Sequence, residues 1–373
     1  MFIIVVACAL LLLAGRAAVT VRDADVSDFR CFYESGRLVR LGLDPYDTAT
    51  WAAATMADPA RLPPCPRTTY AYPLWTAVAF VPLSLLPEPT ALAVWEAILL
   101  ASAIASVALL SRTGGRRANG RLLLVLVLWS QPMFSAVANA QLGPVILLSV
   151  SATALALERG RERAAAGAAW LLLLKPNMVL LVLAGLPLLR SRRFAAYAIG
   201  GSLAILLGTL LVIPTWPRDL ADVIFGQQLL VDRGLSTLWS LADDAGLPSI
   251  VGAVLSLLAC VAFLASVRGR AVRATDLVAV LVAASFLITP YTRPHDQIAL
   301  AICWAAALSL AAGARTAVGV VVLVALVLPW TVTLLTQGSV PLSLYSLVSL
   351  SSAALLAYSL RSRVPTVASQ PLG

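Results

Sequence analysis

Long apolar runs separated by short arginine-rich seams recur along this 373-residue chain. Backbone groups in hydrocarbon find no water, so each run must satisfy them within its own segment, as a helix. The runs fall at 2–19, 90–110, 122–137, 144–157, 194–213, 248–267, 276–290, 297–312, 317–335 and 344–360. Several are shorter than the roughly 20 residues of a full crossing. Only 12% of residues are charged and 60% are hydrophobic. A typical globular domain carries about 25% charged residues, so this chain cannot cover a water-facing surface. Soluble enzymes, disordered chains and nucleic-acid binders are excluded. What remains is an all-α polytopic membrane protein, a single unit over 1–363 followed by a cytoplasmic tail at 364–373.

The basic residues orient it. Of 27 lysines and arginines only one, Lys175, is a lysine. Arginines cluster at 112–121, 159–163, 190–193 and 268–273, with Arg315, Arg361 and Arg363 beyond. With the N-terminus inside, all of them fall on the cytoplasmic face, as the positive-inside rule requires. Most acids fall on the opposite seams, although Arg22, Arg30, Arg37 and Arg40 share the first of these. The reading is a multi-pass protein of the cell membrane with both termini cytoplasmic and external loops at 20–71 and 214–247.

Two stretches do not fit as spans. Residues 164–189 lie between two cytoplasmic arginine clusters and are interrupted by Lys175-Pro176-Asn177. They should form a re-entrant pair of short helices with the turn reaching towards the outer half. Residues 72–86 begin with Tyr-Pro and end in prolines, and are read as re-entrant or interfacial. In the first external loop, Phe29, Phe32, Tyr33, Leu38 and Leu41 keep helical apolar spacing, which suggests an amphipathic helix on the outer surface. The first run lacks the positive n-region of a signal peptide and contains Arg16, so it is read as a retained span. Cys8, Cys260 and Cys303 are filler within spans, whereas Cys31 and Cys65 share the outer loop, where a disulfide is permitted. One histidine and no paired-cysteine spacing speak against a metal site.

Polar groups at costly depth mark function in such a chain. Asp28 could accept a proton from a substrate hydroxyl, with Tyr33 and Glu34 close by and Asp23 and Asp25 as rivals. Its alternative role is a helix N-cap. Lys175, flanked by leucines, could hold an anion such as a phosphate. Arg293 and His295, in the outer turn Thr289 to Asp296, could do the same. Asn139 and Gln141 offer amides that suit sugar hydroxyls and equally suit helix capping.

The ordered set Asp28-Phe-Arg-Cys-Phe-Tyr33, Leu43-Asp-Pro-Tyr46, Tyr72-Pro73, Asn139-Ala-Gln141-Leu-Gly143, Lys175-Pro176 and Pro290 to His295 resembles glycosyltransferase family 87 (DUF2029) of the GT-C superfamily. Two departures are Leu74, where the family often has a second proline, and Arg293-Pro294, where an aromatic residue commonly precedes the histidine. The resemblance implies a GT-C-like bundle of about 10–13 transmembrane or re-entrant helices. It also implies an inverting, mannosyltransferase-like enzyme that moves a sugar from a polyprenyl-phosphate donor to a lipid-linked or glycan hydroxyl at the outer face. Asp28 would be the general base, with Lys175, Arg293 and His295 on the donor phosphate. Tyr33, Tyr72, Asn139 and Gln141 would contact substrate. No metal, cofactor or nucleic acid is expected, and membrane lipids are the remaining partners. A transporter or flippase is the alternative, since broken helices with polar turns occur there too.

Overall fold

The computed structural model describes residues 2–22, 27–56, 70–113, 120–226, 235–270, 273–310, 315–337 and 341–362, and every regular element among them is helical. In chain order the helices are α1 (Phe2–Arg22), α2 (Phe29–Arg40), α3 (Thr48–Met56), α4 (Leu74–Phe80), α5 (Glu88–Leu110), α6 (Gly120–Trp129), α7 (Gln131–Ala138), α8 (Gly143–Glu158), α9 (Glu162–Trp170) and α10 (Leu180–Leu189). They continue with α11 (Arg192–Val212), α12 (Trp216–Gly226), α13 (Leu238–Asp244), α14 (Ser249–Val267), α15 (Ala274–Ile288), α16 (Ala301–Leu310), α17 (Arg315–Val322), α18 (Leu328–Thr336) and α19 (Ser346–Arg361). Six helical segments among the described residues are long and apolar enough to cross a bilayer: α1, α5, α11, α14, the continuous α17–α18 segment, and the segment ending in α19.

The run at 122–137 is broken rather than straight. α6 and α7 meet at a 50° bend, for a reason visible in Ser130-Gln131-Pro132. The Ser130 hydroxyl accepts from the Met133 amide at 3.3 Å, capping α7, and Pro132 has no amide to extend α6. The runs at 144–157, 276–290 and 297–312 become the shorter helices α8, α15 and α16. At 1.5 Å per residue, α8 is about 24 Å long, short of a roughly 30 Å core.

These three helices form the centre of the bundle. In α15 every residue except Leu277 and Ile288 is buried, and α16 is buried from Ala301 to Leu308. A helix apolar on all sides must be enclosed by protein or lipid; here other helices enclose it. Without a hydrophobic drive between helices in lipid, close packing does the work, and small residues permit it. Ala279, Ala283 and Ala284 on α15 are fully buried, as are Ala305 to Ala307 on α16, and Cys303 Sγ reaches the Ala279 carbonyl at 3.4 Å. By contrast α11 turns most of its surface outward, with Leu203, Leu207 and Leu211 exposed, as befits a lipid-facing span.

α9 and α10 form a hairpin. The Ser191 hydroxyl, just past α10, hydrogen-bonds the Glu162 carboxylate at the start of α9, so both ends lie at one face. Between them two 3-10 turns, Leu171–Leu174 and Pro176–Met178, flank Lys175. Carbonyls freed at this break find donors on α4: Trp75 Nε1 donates to Leu173 O at 2.7 Å and Thr76 Oγ1 to Leu174 O at 3.0 Å. Irregular backbone is tolerated at depth because protein supplies the missing partners.

α2 differs from the expected surface helix. Its apolar face is buried in protein, where Phe32 stacks on Phe80 of α4 at 4.8 Å and Phe80 packs against Trp95 of α5 at 4.7 Å. Gly36 makes this close approach possible, because a Cβ there would lie 2.7 Å from the Phe80 backbone. Arg30 pairs with Glu88 at 2.8 Å across the same junction. Cys31 is disulfide-bonded, while Cys65, like Asp23 and Asp25, lies outside the described residues.

The two ends of the bundle differ in charge. Arg112, Arg159, Arg190 and Arg273 line one cavity at one end. Asp44, Asp47, Asp219 and Asp222 line another cavity of about 500 Å³, beside α12.

Candidate active site

Asp28 sits immediately before α2 and makes no side-chain cap bond, so its carboxylate is not an N-cap. Its backbone amide donates to the Asn139 carbonyl at 3.2 Å, which fixes it beside the α7–α8 turn. That turn depends on Ala140, whose φ of 49° places it in the left-handed region. Such a conformation costs an L-residue roughly 1–2 kcal/mol. It is held by Trp95 Nε1, which donates to Ala140 O at 2.8 Å, and by the Gln141 amide on Ala136 O at 2.9 Å. The result is a fully buried Gln141 side chain aimed at Asp28.

Gln141 bridges two charges. Its Nε2 donates to Asp28 Oδ2, and its Oε1 accepts from Lys175 Nζ at 3.0 Å. Only this orientation of the amide puts donor against carboxylate and acceptor against ammonium. Lys175, 2% exposed, makes a second bond of 2.6 Å to Asp296 Oδ1. Asp296 Oδ2 accepts from the Arg293 amide at 3.0 Å. The Lys175 ammonium also lies 5.9 Å from the centre of the Tyr72 ring. A buried, continuous polar chain therefore runs Asp28–Gln141–Lys175–Asp296.

His295 adjoins its far end. Nε2 lies 3.5 Å from Asp296 Oδ1, too long for a hydrogen bond, and has no hydrogen-bond partner among the described residues. A buried, unpaired ring nitrogen is costly, and a bound group able to pair with it would remove that cost. Gly143 lets α8 approach here, since a Cβ would meet the His295 carbonyl at 2.7 Å.

Lys175 also faces a cavity of about 210 Å³ between Tyr72, Pro73, Asn177, Leu220 and Tyr291. Asn177 closes one side by donating to Tyr291 O at 2.7 Å. Behind the Leu171–Leu174 turn, a second cavity of about 320 Å³ runs between α9, α10 and α11; its walls are almost wholly apolar, from Trp75 to Pro187 and Phe194. A mostly apolar cavity with the Lys175 ammonium and the Asn177 amide on its wall thus lies beside an apolar groove.

Of the residues singled out in sequence, Asp28, Gln141, Lys175, His295, the Arg293 backbone and the Tyr72 ring come together here. Two others are hydrogen-bonded to neighbouring backbone in this structure. The Asn139 amide donates to Ser135 O at 2.8 Å and closes α7, while the Tyr33 hydroxyl donates to Leu86 O at 2.9 Å. Glu34 pairs with Arg37 at 2.7 Å. Asp296 was missed as a site residue; its signal was a carboxylate next to the only histidine, in a turn otherwise read for its cations. Among the described residues, no group of three or more His, Cys, Asp or Glu side chains is arranged to hold a metal ion.

In the loop between α2 and α3, burial raises the Asp44 carboxyl above its ordinary range, the Tyr46 amide partly offsets this, and Asp219 and Asp47 push it further up. Tyr46 in turn donates to Tyr72 O at 2.6 Å, linking this loop to the cavity.

An all-helical, multi-pass membrane protein with a buried carboxylate–amide–ammonium chain at one end is the class so defined. The family model for glycosyltransferase family 87 matches residues 70–290, more than half of the chain. The chain belongs to glycosyltransferase family 87 and is a glycosyltransferase. The matched segment contains Tyr72, Asn139, Gln141 and Lys175; Asp28 precedes it, and Arg293, His295 and Asp296 follow it. No curated protein and no solved structure matches the chain significantly.

Proposed function

We propose that this transferase moves a sugar, with mannose the first candidate, from a polyprenyl-phosphate donor to a hydroxyl of a lipid-linked or glycan acceptor, with inversion. The observation that carries the reading is the chain Asp28–Gln141–Lys175–Asp296, which holds a carboxylate and an ammonium at fixed separation. The arginine-rich face is cytoplasmic and the site opens outward.

In this mechanism Asp28 takes the proton of the acceptor hydroxyl as its oxygen attacks the anomeric carbon. The bond from that carbon to the phosphate oxygen breaks, and polyprenyl phosphate leaves as a stable anion that needs no strong acid. Lys175 has two contacts committed, to Gln141 and Asp296, and its third N–H is free to meet the phosphate at the cavity. His295 Nε2 and Arg293 add hydrogen-bonding capacity as charge grows there. The apolar groove beyond Trp75 suits the prenyl chain, so that lipid binding fixes the reacting carbon. Asp28 and Asp296 are both engaged by neighbours, which favours a reaction without a divalent ion.

The purified protein, incubated with a panel of polyprenyl-phosphate sugars and a lipid-linked acceptor, should form a glycosylated product and free polyprenyl phosphate. Activity with nucleotide sugars alone would overturn the donor assignment. A retained anomeric configuration would overturn direct displacement.

A further inference from the structure

The arginine-rich end contains a feature that sugar transfer does not use. Arg112 follows α5, Arg159 caps α8, Arg190 caps α10 and Arg273 precedes α15, and all four line one cavity of about 510 Å³. The positive-inside rule accounts for arginines at this face, but not for guanidinium groups from four separate helix ends meeting at one cavity.

The charge around the cavity is uneven. Arg273 is held by the Asp276 carboxylate at 2.9 and 2.5 Å and by Ser309 at 2.9 Å. Glu158, on the cavity wall, is bound by the Thr275 hydroxyl at 2.5 Å. Arg112, Arg159 and Arg190 have no ion pair or side-chain hydrogen bond among the described residues. Four arginines and one carboxylate, Glu158, line the cavity, so its wall carries a surplus of positive charge that a bound anion would offset. Guanidinium forks match phosphate oxygens in geometry as well as charge.

We infer that this cavity is a binding site for a phosphate group, supplied by an anionic lipid headgroup or by free phosphate. Leu188 and Leu189, immediately before Arg190, are 83% and 60% exposed, an apolar rim that suits contact with membrane lipid. Basic pockets between helices at this face suit such headgroups. The site is separate from the Asp28–Lys175 chain and independent of which sugar is transferred.

The test uses the purified full chain, compared by native mass spectrometry in micelles containing phosphatidylglycerol or only phosphatidylcholine. Wild type should retain phosphatidylglycerol and not phosphatidylcholine. The variant R112Q/R159Q/R190Q should retain it roughly a hundredfold more weakly, while gel filtration and melting show it folded. R193Q/R268Q/R315Q removes equal charge from the same end outside the cavity and should retain it as wild type does. Displacement by inorganic phosphate would assign the site to free phosphate, and resistance to it would assign the site to the lipid headgroup. Equal loss in both triple variants, or no selective retention by wild type, would overturn the inference.

Discussion

Lys175 and Asp296 stand 2.6 Å apart although 121 residues of sequence separate them, and both side chains are buried. The lysine at the hairpin tip is therefore not an isolated cation awaiting phosphate. It is already neutralised, and its remaining donor capacity is what a substrate meets. Removing either partner leaves an uncompensated buried charge, which costs about 3–5 kcal/mol, while replacing both by apolar groups is often neutral. Lys175→Met and Asp296→Leu should each lower the melting temperature sharply, and the double variant should regain most of it while staying inactive. Additive losses in the double variant would show that the pair does not couple.

Asp28→Asn keeps the shape and can keep a hydrogen bond with Gln141, but loses the base. Turnover should fall by about 10²–10⁴-fold, the usual contribution of general-base catalysis, with membrane insertion and melting unchanged. Turnover within a few-fold of wild type would remove Asp28 from the mechanism.

Asp44 offers a stability readout that depends on pH. Its folded carboxyl titrates above the ordinary range because burial and the Asp219 and Asp47 charges disfavour ionisation. A raised folded value means that its contribution is fully present below the unfolded value and is lost as pH rises through the folded one. Asp44→Asn should therefore melt like wild type in acid and higher than wild type near neutrality. The Asn oxygen can still accept from the Tyr46 amide, as Asp44 does at 2.8 Å. A difference that is constant across pH would contradict the titration.

A divalent-ion chelator should leave sugar transfer intact. Loss of activity restored by added metal would require Asp28 or Asp296 to leave its present partner and become a ligand.

The membrane class, the division of charge between the two ends and the short helices around Lys175 were legible because bilayer physics acts on local sequence. A run of leucines or a cluster of arginines announces itself. The runs at 144–157 and 276–290 read as ordinary spans because apolarity alone does not distinguish lipid from protein surroundings. The Asp28–Gln141 contact was harder still, since it depends on the left-handed turn at Ala140 and on Trp95, two elements away. Asn139 and Gln141 looked equivalent in sequence. Backbone geometry alone sends one side chain into its own helix and the other into the site.

The hairpin carries a consequence for biogenesis. Both of its ends lie at one face, and its tip bears a cation whose neutralising partner is synthesised 121 residues later. While the nascent chain ends before Asp296, the tip has no counter-charge to bury against, so it should linger at the aqueous boundary. Nascent chains arrested before residue 296 should label at Lys175 with a water-soluble amine reagent, and complete chains should not. Equal labelling of both would show that the tip is buried without its partner. The site would then be among the last parts of the protein to close, so that catalytic competence itself reports that assembly is finished.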